Sequence, residues 1–259
     1  MLPREHGAWA ILIGPILVGL LGAPVFSPAA AALFVLGALA AFLVRAPLQA
    51  LLAKPGDRRA QGWLAFYAAL TLGAFAPLIL LIGCWKLLYF AVPSVALMAE
   101  NLAANKSGRR FSAFNEGAGV LGLCLGAPAA YYAASFQLDA RAWSLWLLCS
   151  AFFLGPIFYV KMAALQHRAV ADKSALPALA LMRQRSMIYH GLTLAAVGAW
   201  AATGGTPALA AIPFAASFLK TLLRGARTPE RVDFKSLGYA EVGYSILFVV
   251  VTGLAYTQP

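Results

Sequence analysis

Several stretches of this chain run without a charged residue for long enough to cross a lipid bilayer. That restricts the possible folds more than any motif does. They include residues 7–44, 60–85, 117–138, 142–160 and 242–259, each near or above the roughly 20 residues that a spanning helix needs. In hydrocarbon every backbone N–H and C=O must find a partner within the protein, so spanning segments are helices or closed barrels. The two-residue alternation of a barrel strand is missing, which leaves helices. Composition agrees: 62% of the residues are apolar and 11% charged, against about a quarter charged in a soluble domain. A soluble fold would be left with large exposed apolar patches. The expected class is therefore all-α, a polytopic membrane protein with one transmembrane domain over residues 1–259.

Hydropathy and turn chemistry place about nine spans, near 7–25, 29–53, 62–83, 85–104, 115–136, 141–162, 186–203, 206–223 and 236–257. Gly22–Pro24 with Ser27–Pro28, and Gly204–Pro207, mark two of the boundaries. The first run is longer than a signal-peptide core, so it is expected to be retained as a span. Charge then sets the orientation. With the N-terminus in the cytoplasm, eighteen of the 20 Lys and Arg residues fall on inner segments, leaving only Lys86 and Arg141 outside. Such a bias in short loops follows the positive-inside rule. It predicts a protein with its N-terminus in the cytoplasm and its C-terminus outside. The net charge of +11 then reflects topology and contact with anionic membrane lipids, not nucleic acid. Cys84, Cys124 and Cys149 lie inside spans without metal-ligand spacing and are expected to be small core residues.

The longest polar segment runs from Gln166 to Arg185 and includes residues 175–182, which are expected to form a short amphipathic helix on the membrane surface. Ionisable and amide side chains within spans are costly unless they face protein or water. Here they gather in the cytoplasmic third of each span: Arg45 and Gln49, Glu100 with Asn101 and Asn105, Asn115 with Glu116, Lys161, His190, Lys220 and Glu241. Asn101 and Asn105 share a helix face, as do Arg45 and Gln49. The pattern suggests one polar cavity open to the cytoplasm. Each residue also has a plainer reading. Arg45, Lys161 and Lys220 can snorkel to the interface, the asparagines can bond neighbouring helices, and Glu241 is expected to cap the last span. His190 reads as a packed core histidine, while His6 reads equally as an interface anchor or a site residue. No Walker lysine, His-Glu-x-x-His or Ser-His-Asp set is present. The nine acidic residues are too scattered to share a divalent ion, so neither a metal nor a cofactor is expected.

The opening Pro3-Arg4-Glu5-His6-Gly7-Ala8-Trp9-Ala10, followed by Pro15 and Gly19, resembles the start of the YwiC-like membrane proteins, a bacterial family without an assigned activity. Glu100-Asn101-Leu102-Ala103-Ala104-Asn105, Ser107-Gly108-Arg109-Arg110 and Asn115-Glu116-Gly117-Ala118-Gly119 fit the same resemblance. More distantly, the span number, the inside N-terminus, the long inner loops and Arg4, Gly7 and Pro15 in the first helix resemble the UbiA superfamily of intramembrane prenyltransferases. That resemblance implies a helical bundle around one central cavity. It also implies aspartate-rich motifs for magnesium and an isoprenoid diphosphate, but the matching positions read Arg45-Ala46-Pro47-Leu48-Gln49 and Tyr159-Val160-Lys161-Met162, without an aspartate. Exchanging carboxylates for Arg45 and Lys161 turns a cation site into an anion site. Lys54, Arg58, Arg59, Arg168 and Arg183 would deepen the positive potential at its mouth.

The expected site thus comprises Arg45, Gln49, Asn101, Asn105, Asn115, Glu116, Lys161 and Arg168 as ligands of an isoprenoid or lipid phosphate, with Glu100 or His6 as candidate acid or base. Three classes of function remain open at this point. One is a UbiA-like lipid enzyme or binder without metal, another a transporter of a small anion or metabolite, and the third a non-catalytic membrane assembly partner. Membrane lipids are partners under each.

Overall fold

The computed structural model describes residues 6–106 and 113–257, without the side chains at 6, 101, 104–106, 113 and 114. Among the described residues all regular structure is helical. The helices are α1 (His6–Leu21), α2 (Pro28–Ala53), α3 (Arg58–Leu80), α4 (Leu87–Lys106), α5 (Ala113–Cys124), α6 (Gly126–Ser135), α7 (Ala140–Ala171), α8 (Leu176–Ala202), α9 (Ile212–Gly225) and α10 (Phe234–Thr257). Helix covers all nine expected span positions, with α5 and α6 sharing the fifth. Among the described residues, six segments are long and apolar enough to cross a membrane: α2, α3, Asn115–Ser135, α7, Ala208–Gly225 and α10. Gly7–Leu21 and Leu87–Glu100 are shorter apolar helices. The chain is an all-α polytopic membrane protein.

Two compact units are present, one ending at Trp146 and the other beginning at Leu147, within α7. In the first, α2 and α3 form a hairpin, α1 packs on α5 and α6, and α4 packs on α5. Small residues allow these helices to approach closely, the usual means of association where lipid competes for apolar contacts. At Gly19 an added Cβ would lie 2.1 Å from the Ala127 carbonyl oxygen, so only glycine lets α1 meet α6 there. The α5–α6 break has a local cause. Pro128 has no N–H, and its ring conflicts with the carbonyl four residues back. The Leu125 N–H turns to Gly122 at 3.2 Å, and the Leu121 carbonyl oxygen instead accepts from Trp146 Nε1 at 3.4 Å. Asp139 then starts α7, accepting from the Ala142 N–H at 3.1 Å and from the Tyr131 hydroxyl at 2.9 Å.

In the second unit α9 packs on α8 and α10. Its apolar interior centres on four aromatic rings. Phe152 stacks on Phe248 with centroids 4.2 Å apart, and Phe153 and Phe214 meet Phe248 edge-on. Cys84, Cys124 and Cys149 are buried thiols. The segment from Gln166 to Arg185 differs from the expectation of a loop with a short surface helix. Helix α7 continues to Ala171, α8 begins at Leu176, and only a tight turn separates them. Lys, Arg, Gln, Ala, Leu and Met are all strong helix formers, so helix persists after hydropathy falls. Pro177 sits in the first turn of α8, where its missing N–H costs nothing.

Candidate functional site

The side chains expected to form one site divide between the two units. Arg45 and Gln49 lie half-buried on α2 in the first, while Lys161 (half-buried) and Arg168 (exposed) lie on α7 in the second. Arg168 forms a helix-end pair with Asp172 at 3.2 Å. Glu100 is half-buried on α4, and its packing partner α5 carries buried Asn115 and half-buried Glu116 in its first turn. A carboxylate there suits the positive end of the helix dipole. The side chains of His6, Asn101, Asn105 and Lys106 lie outside the described residues, as do Arg4, Arg109 and Arg110. Among the described residues, no three His, Cys, Asp or Glu side chains gather within reach of one metal ion.

Two arrangements stand out instead. In the first unit, a groove of about 380 Å³ at the start of α3 is lined by Arg58, Arg59, Gly62, Trp63 and Phe66. Asp57 sets that helix start, its carboxylate accepting from the Arg59 and Ala60 N–H groups at 3.0 and 3.1 Å. Trp63 stacks on Tyr67 at 5.3 Å and meets Phe66 edge-on at 6.0 Å. The rings are held by each other, and Gly62 leaves the groove floor open. A Cβ built at Gly62 would meet nothing within 4 Å. Arginine beside tryptophan at the end of an apolar helix is the composition of a membrane–water interface.

The second unit holds a network that crosses three helices. Lys220 on α9 is buried, with Nζ 2.7 Å from Glu241 Oε1 on α10. The ammonium also lies 4.3 Å from the ring centre of Tyr159 on α7 and 4.2 Å from that of Tyr244 on α10. One turn further along α9, Arg224 donates through Nε to the Tyr159 hydroxyl at 3.0 Å and through a terminal nitrogen to Gln166 Oε1 at 3.3 Å. Gln166 returns a bond from Nε2 to the Arg224 carbonyl oxygen at 2.9 Å. Glu230 lies 3.6 Å from Arg224 and 3.2 Å from Arg227. The connection before α10 is tied back by the Val232 N–H, which donates to His167 Nδ1 at 3.1 Å, and by Arg183, which donates to the Arg227 carbonyl.

The network corrects two expectations. Lys220 does not snorkel: it is paired inside the unit. Glu241 does not cap α10, because that helix starts two turns earlier at Phe234. Asp233 supplies the cap, accepting from the Lys235 N–H at 2.9 Å and the Ser236 hydroxyl at 2.8 Å. These contacts, Ser236's first, hold the Asp233 carboxyl below the ordinary 3.8. The Ser174 hydroxyl and N–H do the same for Asp172 at the α7–α8 turn. His190 is buried, its Nδ1 2.8 Å from the Ser186 carbonyl oxygen. Sequence reasoning gave no site role to Tyr159, Tyr244, Gln166 or Arg224. The available signal was two opposite charges, Lys220 and Glu241, inside neighbouring spans.

Helices of this length and apolarity define a multi-pass membrane protein. The sequence profile of the YwiC-like protein family matches residues 2–131, and the chain belongs to that family. It is similar to "Uncharacterized protein YwiC" of Bacillus subtilis (strain 168), with 31% identity over 165 residues, 62% of this chain and 66% of the relative. The chain thus spans just under two thirds of that relative's length. No solved structure matches. None of these comparisons shows a likeness to the UbiA superfamily.

Proposed function

We propose that this protein lies in the bacterial inner membrane and binds the phosphate of an anionic lipid, whether an isoprenoid or another lipid phosphate, in the groove at the start of α3. The observation that carries this reading is the lining of that groove: two arginines, two aromatic rings and an open glycine floor at the end of a spanning helix. Arginine holds phosphate oxygens through a planar fork of donors, and Trp63 and Phe66 give the first methylenes of a lipid tail an apolar wall. The eighteen-to-two distribution of Lys and Arg supports placing the 54–57 turn at the cytoplasmic surface, where anionic headgroups raise the local supply of ligand. Arg45 and Gln49, within the last three turns of α2, are proposed as further polar contacts at the same end of the hairpin.

The test is native mass spectrometry of protein released from the membrane in mild detergent. A co-purifying lipid phosphate is expected. Arg58→Ala/Arg59→Ala should weaken it about tenfold or more, the scale of a lost charge-assisted hydrogen bond at about 1.5–3 kcal/mol. Gly62→Leu should block it without unfolding the chain, because the added side chain meets no protein atom near its Cβ. Arg227→Ala, already paired to Glu230, should change nothing. Equal retention of lipid phosphate by all four proteins would overturn the reading.

A further inference from the structure

Lys220 sits in a receptor for its own functional group. Two tyrosine faces at 4.3 and 4.2 Å and a carboxylate oxygen at 2.7 Å surround the ammonium. Ring faces plus an anion are the means by which proteins recognise organic ammonium ligands. All three walls come from α7 and α10, whereas the occupant reaches in from α9 on a flexible stem of four methylenes. The cage is also not sealed. The Glu241 side chain keeps 15% of its surface exposed and the Lys220 side chain 7%. Beside it, Arg224 bonds the Tyr159 hydroxyl and remains 16% exposed, a cation placed next to an ammonium site.

We propose that Tyr159, Tyr244 and Glu241 form a binding site for an external organic ammonium group, with Lys220 as a tethered occupant that yields to it. An ammonium in the cage, with an anionic group taking the place of Glu230 beside Arg224, is the charge pattern of a phosphoethanolamine. That chemistry is available from a lipid headgroup or from a soluble amine. The site is separate from the groove on α3 and does not depend on it. A tethered amine acts as a competitor at an effective concentration in the millimolar range or above, so the site stays closed to weak cations such as sodium and opens to a ligand with a second anchor.

Thermal unfolding of the full chain in nanodiscs tests this with ethylammonium chloride as probe and equal sodium chloride as control. Lys220→Ala empties the cage and leaves the Glu241 carboxylate without its ammonium. Ethylammonium should raise its melting temperature by several degrees, and wild type should need at least tenfold more probe for the same shift. Lys220→Ala/Glu241→Gln should not respond. If the source is a lipid headgroup, nanodiscs rich in phosphatidylethanolamine should already raise the Lys220→Ala baseline above that in phosphatidylglycerol. Equal baselines with a retained probe response assign a soluble amine. No ethylammonium-specific shift in Lys220→Ala, or an equal one in the double variant, would mean that the pair is only a strut between helices. Should Lys220→Ala not accumulate, wild type supplies the readout. Choline, which carries no acylable amine, should speed acylation of Lys220 measured by peptide mass spectrometry, and an unchanged rate would overturn the proposal.

Discussion

Cutting the Lys220–Glu241 pair from one side should be far worse than removing both partners. Glu241→Leu leaves a buried ammonium with two ring faces and no anion. Losing one partner of a buried pair costs about 3–5 kcal/mol, and the surviving cation–π contacts put the expected loss near the lower end, about 3 kcal/mol. Lys220→Met should cost less, about 2 kcal/mol, because the Glu241 side chain left behind is more exposed than Lys220, 15% against 7%. Lys220→Met/Glu241→Leu replaces both charges by apolar groups of similar volume and should fall within about 1 kcal/mol of wild type, since such exchanges are often neutral. The cycle then reports a coupling of about 4 kcal/mol, far above the few tenths seen between independent sites. The assay is equilibrium unfolding in mixed micelles of rising denaturing-detergent fraction, followed by helical circular dichroism. Additive single-variant losses, or a Glu241→Leu cost under about 1 kcal/mol, would show that the ion pair does not hold α9 to α10.

Gly19→Ala should lose about 3 kcal/mol, the upper range for overpacking, because its Cβ would press on the main chain of Ala127. Gly73→Ala on α3, where a Cβ meets nothing within 4 Å, should gain about 0.5–1 kcal/mol of helix propensity; the same detergent titration separates the two. Asp139→Ala should cost about 1–2 kcal/mol, the scale of a lost helix cap, and should leave the Tyr131 hydroxyl without its carboxylate; Asp139→Asn should recover most of that. Asp172 and Asp233 have carboxyls depressed below their unfolded value, so their contribution to stability is present above about pH 4 and disappears as pH falls through the depressed folded values. Melting temperatures of wild type and of Asp172→Asn/Asp233→Asn should therefore converge in acid and separate towards neutral pH.

The helices were legible because a run of apolar residues reports the bilayer, and the bilayer admits only helix here. Their ends were less legible for the same reason. Hydropathy falls after Lys161, yet α7 goes on to Ala171, since Gln166, His167 and Arg168 are compatible with helix in water. A span starting near 236 makes Glu241 look like a cap; the helix starts at Phe234 behind Asp233, which leaves Glu241 two turns in, where it meets Lys220. Of the Lys220 cage only the opposite charges of Lys220 and Glu241 left a signal; its aromatic walls left none. Tyr159, Lys220 and Glu241 stand 61 and 21 residues apart, and no local periodicity relates positions on three different helices. Arg45 and Lys161 were grouped by their positions along their spans, a criterion that ignores which unit each helix belongs to.

Helix α7 has 32 residues, which at about 1.5 Å each is roughly 48 Å. A hydrocarbon layer is about 30 Å thick, so an untilted α7 carries some 18 Å of helix beyond it. A tilt absorbs part of that excess, and the fraction absorbed depends on how thick the surrounding bilayer is. Gln166 and His167, which hold the connection into α10, lie on that overhang. Membrane composition therefore acts on this protein as a length gauge. In a thick, long-chain-rich layer the overhang shortens and the headgroups close on the helix end that carries those anchors, whereas a thin layer leaves that end further from them.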